Sequence, residues 1–135
     1  MTTIPGAGGP IADQLTRILA AGNQPVRLVS RKPTPVAGAE ILAADLADPE
    51  QCRRAVAGSK RVHLLVGLKY DLGVWRELWP RIMANTIEAC KRTRAKLIFF
   101  DNVYMYGKVN GAMTEDTPYA PCSKKERSAH PLPRR

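Results

Sequence analysis

Residues 3–19, TIPGAGGPIADQLTRIL, decide how this chain is expected to fold. A short apolar lead is followed by three glycines and then by apolar residues at helical spacing, Ile11, Leu15, Ile18 and Leu19. This order indicates a strand, a glycine turn and a helix, in which backbone N–H groups at the helix N-terminus can hold a phosphate. Pro10 stands where the first helical turn begins, and there its missing N–H costs nothing.

The glycines can be read in two spacings. As G-x-G-x-x-G the last position is Ile11, and the pattern fails. As G-x-x-G-x-x-G, Gly6 and Gly9 match and Ala12 takes the third position, where a small residue lets the helix pack closely on the strand. The stretch therefore predicts a dinucleotide site. A tight turn without a ligand stays the open alternative, because such motifs also occur by chance.

Composition limits the class of protein. The chain has 135 residues, enough for one domain, and its hydrophobic share of 44% and charged share of 24% are typical of a soluble globular protein. No apolar run approaches the roughly 20 residues of a membrane span, and no secretory leader is visible, so we expect a cytoplasmic protein. The cysteines form no CxxC pair, which predicts reduced, buried thiols and no metal site at Cys52, Cys90 and Cys122.

The formal net charge of +9 is unevenly distributed. Residues 124–135 carry five cations against Glu126, and we expect them to form a basic, disordered tail after a folded domain of residues 1–123. The other cations are scattered over helices without interleaved aromatics, which favours a solvated surface over a nucleic-acid-binding face. A small ligand rich in phosphate suits the same sign of charge.

The rest of the chain continues the alternation of strands and helices. Four further apolar runs predict strands at residues 25–30, 40–46, 61–67 and 95–101. Helices are predicted from Asp48 as N-cap to about residue 57 and over 74–92, where Pro80 predicts a kink or the start of a second helix. This order predicts an α/β, Rossmann-like three-layer fold with a parallel sheet of about five strands, incomplete at its C-terminal end. His63, inside one strand, is expected to be a core or interface residue.

The loop after the second strand bears on the choice of cofactor. In a fold of this kind an acidic residue there binds the ribose 2′-hydroxyl of NAD, whereas an arginine accommodates the 2′-phosphate of NADP. The sequence has no acid at this place but has Arg31 and Lys32. The pattern favours NADP over NAD. Two solvated loop cations are the alternative.

Several segments, taken together, resemble a known family. The run GAGGPIA at residues 6–12, the Asp45-Leu46 step, the Val66-Gly67 strand end and the loop VYMYG at 103–107 occur in the order typical of extended short-chain dehydrogenases. These are the NAD(P)-dependent sugar-nucleotide epimerases, dehydratases and related reductases, and the resemblance covers roughly residues 3–125. It implies that the pyrophosphate is held by Gly6, Gly9, Pro10, Ile11 and Ala12. It also implies that Asp45 and Leu46 border the adenine and that Val66 and Gly67 line the ribose and nicotinamide side.

The catalytic half departs from that family. Members carry a serine or threonine four residues before the tyrosine of a V-Y-G motif, and this place is Asn102 here. They also use a Tyr-x-x-x-Lys pair on the next helix, in which the lysine lowers the tyrosine pKa so that the phenolate accepts a proton. No such pair stands at that place. The run PCSKKE at 121–126 best matches the lead into that helix and puts Lys125 where the tyrosine belongs. Asn102 and Lys125 are therefore the candidate catalytic residues.

Two functions follow from the resemblance. The first is an NAD(P)-binding domain of an epimerase, dehydratase or reductase acting on a sugar nucleotide or another carbonyl or alcohol substrate. The second is a non-catalytic NADP-binding sensor or regulatory protein. Because family members continue well beyond this point, we expect an abbreviated or frame-altered chain. An uncovered fifth strand predicts marginal stability or a homo-oligomer.

Overall fold

The computed structural model describes residues 1–101 and 103–122. Its strands are β1 (Thr2–Pro5), β2 (Val26–Ser30), β3 (Ala39–Ala43), β4 (Arg61–Leu64) and β5 (Lys96–Phe99). Its helices are α1 (Pro10–Ala21), α2 (Pro49–Val56) and α3 (Leu72–Thr93), with a 3-10 turn at Tyr104–Tyr106. One compact unit holds residues 1–67 and 80–100, and therefore the whole sheet; a second holds 68–79 and the described residues from 101 onward.

All strands are parallel, in the order β3-β2-β1-β4-β5. In this register Ile4 of β1 lies beside Leu28 of β2, and Thr3 lies beside Val62 of β4. The chain builds outward from β1 to β3 and then returns to the other side of β1 for β4 and β5. Open parallel sheets bind ligands at the carboxyl ends of the strands where the order reverses in this way. The predicted α/β fold with five parallel strands is confirmed.

The core surrounds the central strand. Every residue of β1 is buried, and Ile4 packs with Val26 and Leu28 of β2 and with Ala12 of α1. Full burial of an aliphatic side chain of this size contributes about 1.5–3 kcal/mol. The strands β3 and β5 form the two edges and have no fully buried residue. The order of the sheet therefore places the best-packed strand next to the glycine turn.

Three predicted strands are too long at their carboxyl ends. β3 ends at Ala43 instead of residue 46, and β4 ends at Leu64 instead of residue 67. The reason is that each neighbouring strand leaves the sheet first. Ala44 N–H donates to Ser30, the last residue of β2, and Leu65 N–H donates to Pro5, the last residue of β1, at 2.8 Å. β5 is predicted to reach residue 101 but ends at Phe99, which lies beside Leu64, the last residue of β4.

The helices begin and end largely as their capping residues predict. α1 ends before Gly22, and Asp48 caps α2 because its Oδ1 accepts the N–H of Gln51 at 2.9 Å. α3, however, continues through Pro80, so the predicted alternative of a new helix beginning there is wrong. A proline inside a helix removes one hydrogen bond and crowds one carbonyl, and α3 nevertheless continues to Thr93.

Two of the cysteines lie in the core. Cys52 and Cys90 are buried free thiols, as predicted, whereas Cys122 is exposed. Burial raises the pKa of Cys52, and burial together with the neighbouring Cys52 raises the pKa of Cys90 to about 11. Both buried thiols therefore stay protonated and pack as small apolar groups. Among the described residues, no helix is long and apolar enough to cross a membrane.

Candidate functional site

The turn between β1 and α1 lies at the carboxyl edge of the sheet. Gly6 and Gly8 have φ angles of 109° and 97°, in the region where a residue with a Cβ is strained. The N–H groups of Gly6 and Ala7 both donate to the carbonyl of Val29, at 2.9 and 3.2 Å. Gly9 then caps α1 in extended conformation. The turn is therefore held in one shape against the end of β2.

Gly6 and Gly8 differ in what surrounds them. A Cβ on Gly6 would lie 2.5 Å from the carbonyl carbon and oxygen of Leu65 and 2.8 Å from the nitrogen of Val66. Because these are backbone atoms, they cannot move aside, and Gly6 is required for the end of β1 to touch the chain that follows β4. A Cβ on Gly8 would meet nothing within 4 Å. The open side of Gly8 is where a ligand can approach the backbone.

The start of α1 supplies polar hydrogens to this open side. The first N–H groups of a helix have no partner within it, and the positive end of its dipole attracts anions. Pro10 has no N–H to offer, so Ile11 and Ala12 are the first helical residues that can donate. Ala12 is only 1% exposed and packs on Ile4, Val26 and Leu28, so a larger side chain there would push α1 off the sheet.

Cations mark the end of β2. Arg31 and Lys32 are both exposed and directly follow the last residue of that strand. Arg31 stands two residues beyond Val29, whose carbonyl holds the glycine turn. The first acidic residue after β2 is Glu40, whose carboxylate bonds the guanidinium of Arg27 at 2.8 Å. The corner beside Arg31 therefore carries positive charge.

The β3–α2 loop, residues 44–48, has a fixed shape. The N–H of Asp45 donates to Oε1 of Gln51 at 3.0 Å, and Oδ1 of Asp45 accepts the N–H of Ala47 at 2.9 Å. Leu46 is buried, and its carbonyl accepts Nδ2 of Asn85 on α3 at 2.9 Å. The loop thus presents the half-buried Asp45 beside a buried leucine at the same edge as the glycine turn.

The chain after β4 completes this edge. Leu65 and Val66 are half-buried and supply the backbone that Gly6 touches, and Gly67 is exposed. His63, within β4, is half-buried; burial lowers its pKa, and the positive charge of Arg61 lowers it further. The imidazole is therefore held neutral within the strand.

Most of the predicted site residues meet at one edge. The structure brings to the carboxyl ends of β1 to β4 the residues Gly6, Gly9, Pro10, Ile11, Ala12, Arg31, Asp45, Leu46, Val66 and Gly67. The predicted catalytic residues Asn102 and Lys125 lie outside the described residues. Two residues were missed: Gly8, signalled by the Gly8-Gly9 pair, and Asn85, a polar residue within the apolar stripe of α3. The described residues contain no group of three or more His, Cys, Asp or Glu side chains suited to a metal ion.

The tyrosine segment, residues 103–122, belongs to the second compact unit. It begins with the 3-10 turn Tyr104–Tyr106 and closes when the N–H of Ala120 donates to the carbonyl of Met105 at 3.0 Å. The rings of Tyr106 and Tyr119 meet edge to face, with centroids 5.6 Å apart. Gly107 has a φ of 64°, and a Cβ there would overlap the carbonyl of Ala120. The segment is therefore a closed loop rather than a catalytic helix.

Comparison with known proteins places this geometry in a family. A family model described as NAD(P)H-binding matches residues 6–129. Among curated proteins, no sequence matches the chain. The match covers every element from the glycine turn to the tyrosine segment, in agreement with the resemblance drawn from the motifs.

Solved structures share the fold. Uronate dehydrogenase from Agrobacterium tumefaciens has a TM-score of 0.80 and 20% identity, covering 95% of this chain and 51% of that one. WbmG from Bordetella bronchiseptica, in complex with NAD and UDP, has a TM-score of 0.78 and 20% identity, covering 95% and 46%. A UDP-glucose 4-epimerase has a TM-score of 0.77 and 20% identity, covering 95% and 44%. The chain thus spans about half the length of these structures, and the predicted fold resemblance is confirmed.

Proposed function

Because this chain belongs to the NAD(P)H-binding family, we propose that it binds NADP(H) along the carboxyl ends of β1 to β4. The observation that carries the proposal is the glycine turn, whose backbone is open at Gly8 and fixed by β2 and β4 on its other sides. The N–H groups of the turn that are not bonded to Val29, with those of Ile11 and Ala12 at the positive end of α1, would hold the pyrophosphate. In this proposal Gly6 and Gly9 shape the turn and Pro10 starts the helix.

The preference for NADP rests on Arg31. A guanidinium bonds a phosphate through several N–H groups, whereas a ribose 2′-hydroxyl is best bound by a carboxylate. The corner after β2 offers the cation and no acid, which supports the 2′-phosphate. Asp45 and Leu46, at the end of β3, are then proposed to border the adenine.

The nicotinamide half is proposed to run along Val66 and Gly67. When bound, the dinucleotide supplies a hydride donor or acceptor at its nicotinamide ring. The chain's own residues would orient it: the backbone at residues 65–66 contacts Gly6, so the wall beside the nicotinamide half is fixed relative to the pyrophosphate. The exposed Gly67 leaves that wall without a side chain.

We propose a sugar, a sugar nucleotide or a related carbonyl or alcohol compound as the substrate class. Support comes from the uronate dehydrogenase and the UDP-glucose 4-epimerase, which share the fold. Asn102 is the proposed hydrogen-bond partner of the substrate oxygen, because an amide can serve where the family uses a hydroxyl, and Lys125 is a proposed catalytic cation. Oxidation of NADPH by a carbonyl substrate, lost on Asn102→Ala, is the expected result. Turnover unchanged in that variant would remove Asn102 from the site.

Titration of the chain with NADPH and with NADH tests the binding proposal directly. Nicotinamide fluorescence is followed at constant protein concentration. We expect saturation with both, with NADPH binding about tenfold more tightly because of one charge-assisted contact. A signal that saturates with neither nucleotide at millimolar concentration would overturn the proposal. Equal affinities would leave dinucleotide binding standing and remove the NADP preference.

The domain, its compartment and its association are further parts of the proposal. We assign dinucleotide binding to residues 1–123, and the free thiols Cys52 and Cys90 support a reducing, cytoplasmic location. β5 lies at the edge of the sheet, and an edge strand with unpaired backbone groups favours self-association. Sedimentation is expected to show a homo-oligomer, and a cooperative monomer would contradict that expectation.

A further inference from the structure

Asn85 reaches from α3 to the β3–α2 loop. Its side-chain amide donates from Nδ2 to the carbonyl of Leu46 at 2.9 Å, across 39 positions of sequence. Asn85 is half-buried and Leu46 is buried, so this carbonyl is shielded from much of the solvent. A buried carbonyl that loses its donor is left without a hydrogen-bond partner, which is unfavourable. The bond is therefore a strong restraint on the shape of the loop.

The other side-chain bonds of the loop come from its neighbours in the chain, and the N–H of Ala44 donates to the carbonyl of Ser30 at the end of β2. Asp45 is bonded to Gln51 and to Ala47, and Asp48 caps α2 by accepting from Gln51. The side-chain bonds hold the loop to the start of α2, and the bond of Ala44 ties its first residue to the end of β2. Asn85 bonds a carbonyl of this loop from α3, an element that is distant in sequence.

We propose that Asn85 is a positioning residue for the adenine half of the dinucleotide. The inference rests on the proposed function, in which Asp45 and Leu46 border the adenine. Asn85 acts through the carbonyl of Leu46 and sets how far the loop stands from the glycine turn. Its hydrogen bond is made to this loop, whereas the pyrophosphate and the nicotinamide half are proposed to lie at the ends of β1 and β4. Its effect is therefore confined to ligands that contain adenine.

α3 offers a matched control on the same helix. Thr93 is half-buried like Asn85, but its hydroxyl donates within the helix, to the carbonyls of Ala89 at 3.0 Å and Cys90 at 3.3 Å. Thr93→Ala therefore removes one side-chain donor from α3 without removing a bond to the β3–α2 loop. Any general loosening of α3 would appear in both variants, whereas a role in positioning the loop belongs to Asn85 alone.

The test compares affinities of the whole chain for AMP and for reduced nicotinamide mononucleotide. Asn85→Ala is expected to lower the affinity for AMP about tenfold, because one hydrogen bond is lost. The affinity for the reduced mononucleotide is expected to stay within about twofold of the wild-type value. Thr93→Ala is expected to change neither affinity. Asn85→Gln, which keeps an amide donor, is expected to recover most of the AMP affinity.

Each outcome decides between distinct conclusions. If Asn85→Ala lowers the affinities for both ligands equally, or leaves the affinity for AMP unchanged, the positioning role is overturned while the proposed function stands. A wild-type chain that binds neither ligand removes both proposals. Should Asn85→Ala fail to fold, Asn85→Asp takes its place, because it keeps the shape of the side chain and removes the Nδ2 donor. A selective loss of AMP affinity in that variant supports the role, and an unchanged ratio of the two affinities overturns it.

Discussion

The carboxyl edge of the sheet and the tyrosine segment are stabilised in different ways. At the edge, each loop is bonded to another element: the glycine turn to Val29 of β2, the chain after β4 to Pro5 of β1, and the β3–α2 loop to Asn85 of α3. The tyrosine segment is closed by a bond between Ala120 and Met105, two of its own residues. The first region takes its geometry from the whole sheet, whereas the second depends on local bonds. Substitutions at the edge should therefore affect the stability of the whole sheet, whereas substitutions in the tyrosine segment should have local effects.

Gly6→Ala is expected to have the largest effect. The added methyl would overlap the backbone of Leu65 and Val66 in a residue with positive φ. Overpacking and the left-handed conformation together are expected to cost more than about 3 kcal/mol, enough to unfold a marginal domain. Thermal unfolding followed by circular dichroism measures the loss. A melting temperature close to that of the wild type would show that the edge is not stabilised through β1 and β4.

Gly8→Ala is the matched control for that substitution. It has the same sign of φ but open space around the new methyl, so only about 1–2 kcal/mol of backbone strain is expected. The methyl group would stand on the side proposed for the pyrophosphate, and we expect NADPH affinity to fall more than about tenfold. A folded Gly8→Ala variant that binds NADPH normally would contradict the assigned approach side.

Arg31→Ala tests the part of the edge that depends on charge instead of backbone geometry. We expect NADPH affinity to fall about tenfold, because one charge-assisted phosphate contact is lost, with NADH affinity unchanged. Fluorescence titration with both nucleotides measures the ratio. Arg54→Ala, an exposed cation on α2, serves as control and should leave both affinities unchanged. Parallel weakening of both nucleotides in Arg31→Ala would speak against the 2′-phosphate contact.

Gly107→Ala makes the corresponding change in the tyrosine segment. The methyl would overlap the carbonyl of Ala120 and open the loop, yet we expect the free energy of unfolding of the sheet to change by less than about 1 kcal/mol. Limited proteolysis should cut residues 103–122 faster, with NADPH affinity retained. Gly111→Ala, whose methyl would meet nothing within 4 Å, is the control for backbone strain alone. Global unfolding of Gly107→Ala would contradict the expectation that substitutions in the tyrosine segment have local effects.

Substitution of His63 is expected to have the smallest effect, a change in how stability depends on pH. Its pKa is lowered from the usual 6.5 in the folded chain by burial and by Arg61, so protons bind the unfolded chain more readily. This contribution to stability is fully present above pH 6.5 and is lost as the pH falls below that value. Denaturant unfolding between pH 7 and pH 5 should show a shallower loss for His63→Asn than for the wild type. If the free energy of unfolding depends on pH identically in His63→Asn and the wild type, the lowered pKa of His63 is contradicted.

The sequence predicts the order of elements well because that order depends on periodicity and capping. The glycines, Pro10 and Asp48 mark the starts of α1 and α2 through local chemistry, and the five strands follow from short apolar runs. The strand ends are predicted less well, since β3 and β4 stop where β2 and β1 leave the sheet. Asn85 was missed for a related reason: its partner Leu46 is distant in sequence, and a single polar residue on a helix does not reveal which loop it contacts.

The contact between Gly6 and the backbone of residues 65–66 limits how this domain can be redesigned. It sets the spacing between two neighbouring walls of the crevice with atoms that no side-chain exchange can alter. In the proposed mode of binding, changes of nucleotide preference are therefore confined to the residues after β2, Arg31 and Lys32, whose side chains are exposed. A library that varies those two positions and keeps the turn unchanged would test the proposed specificity without altering this backbone contact.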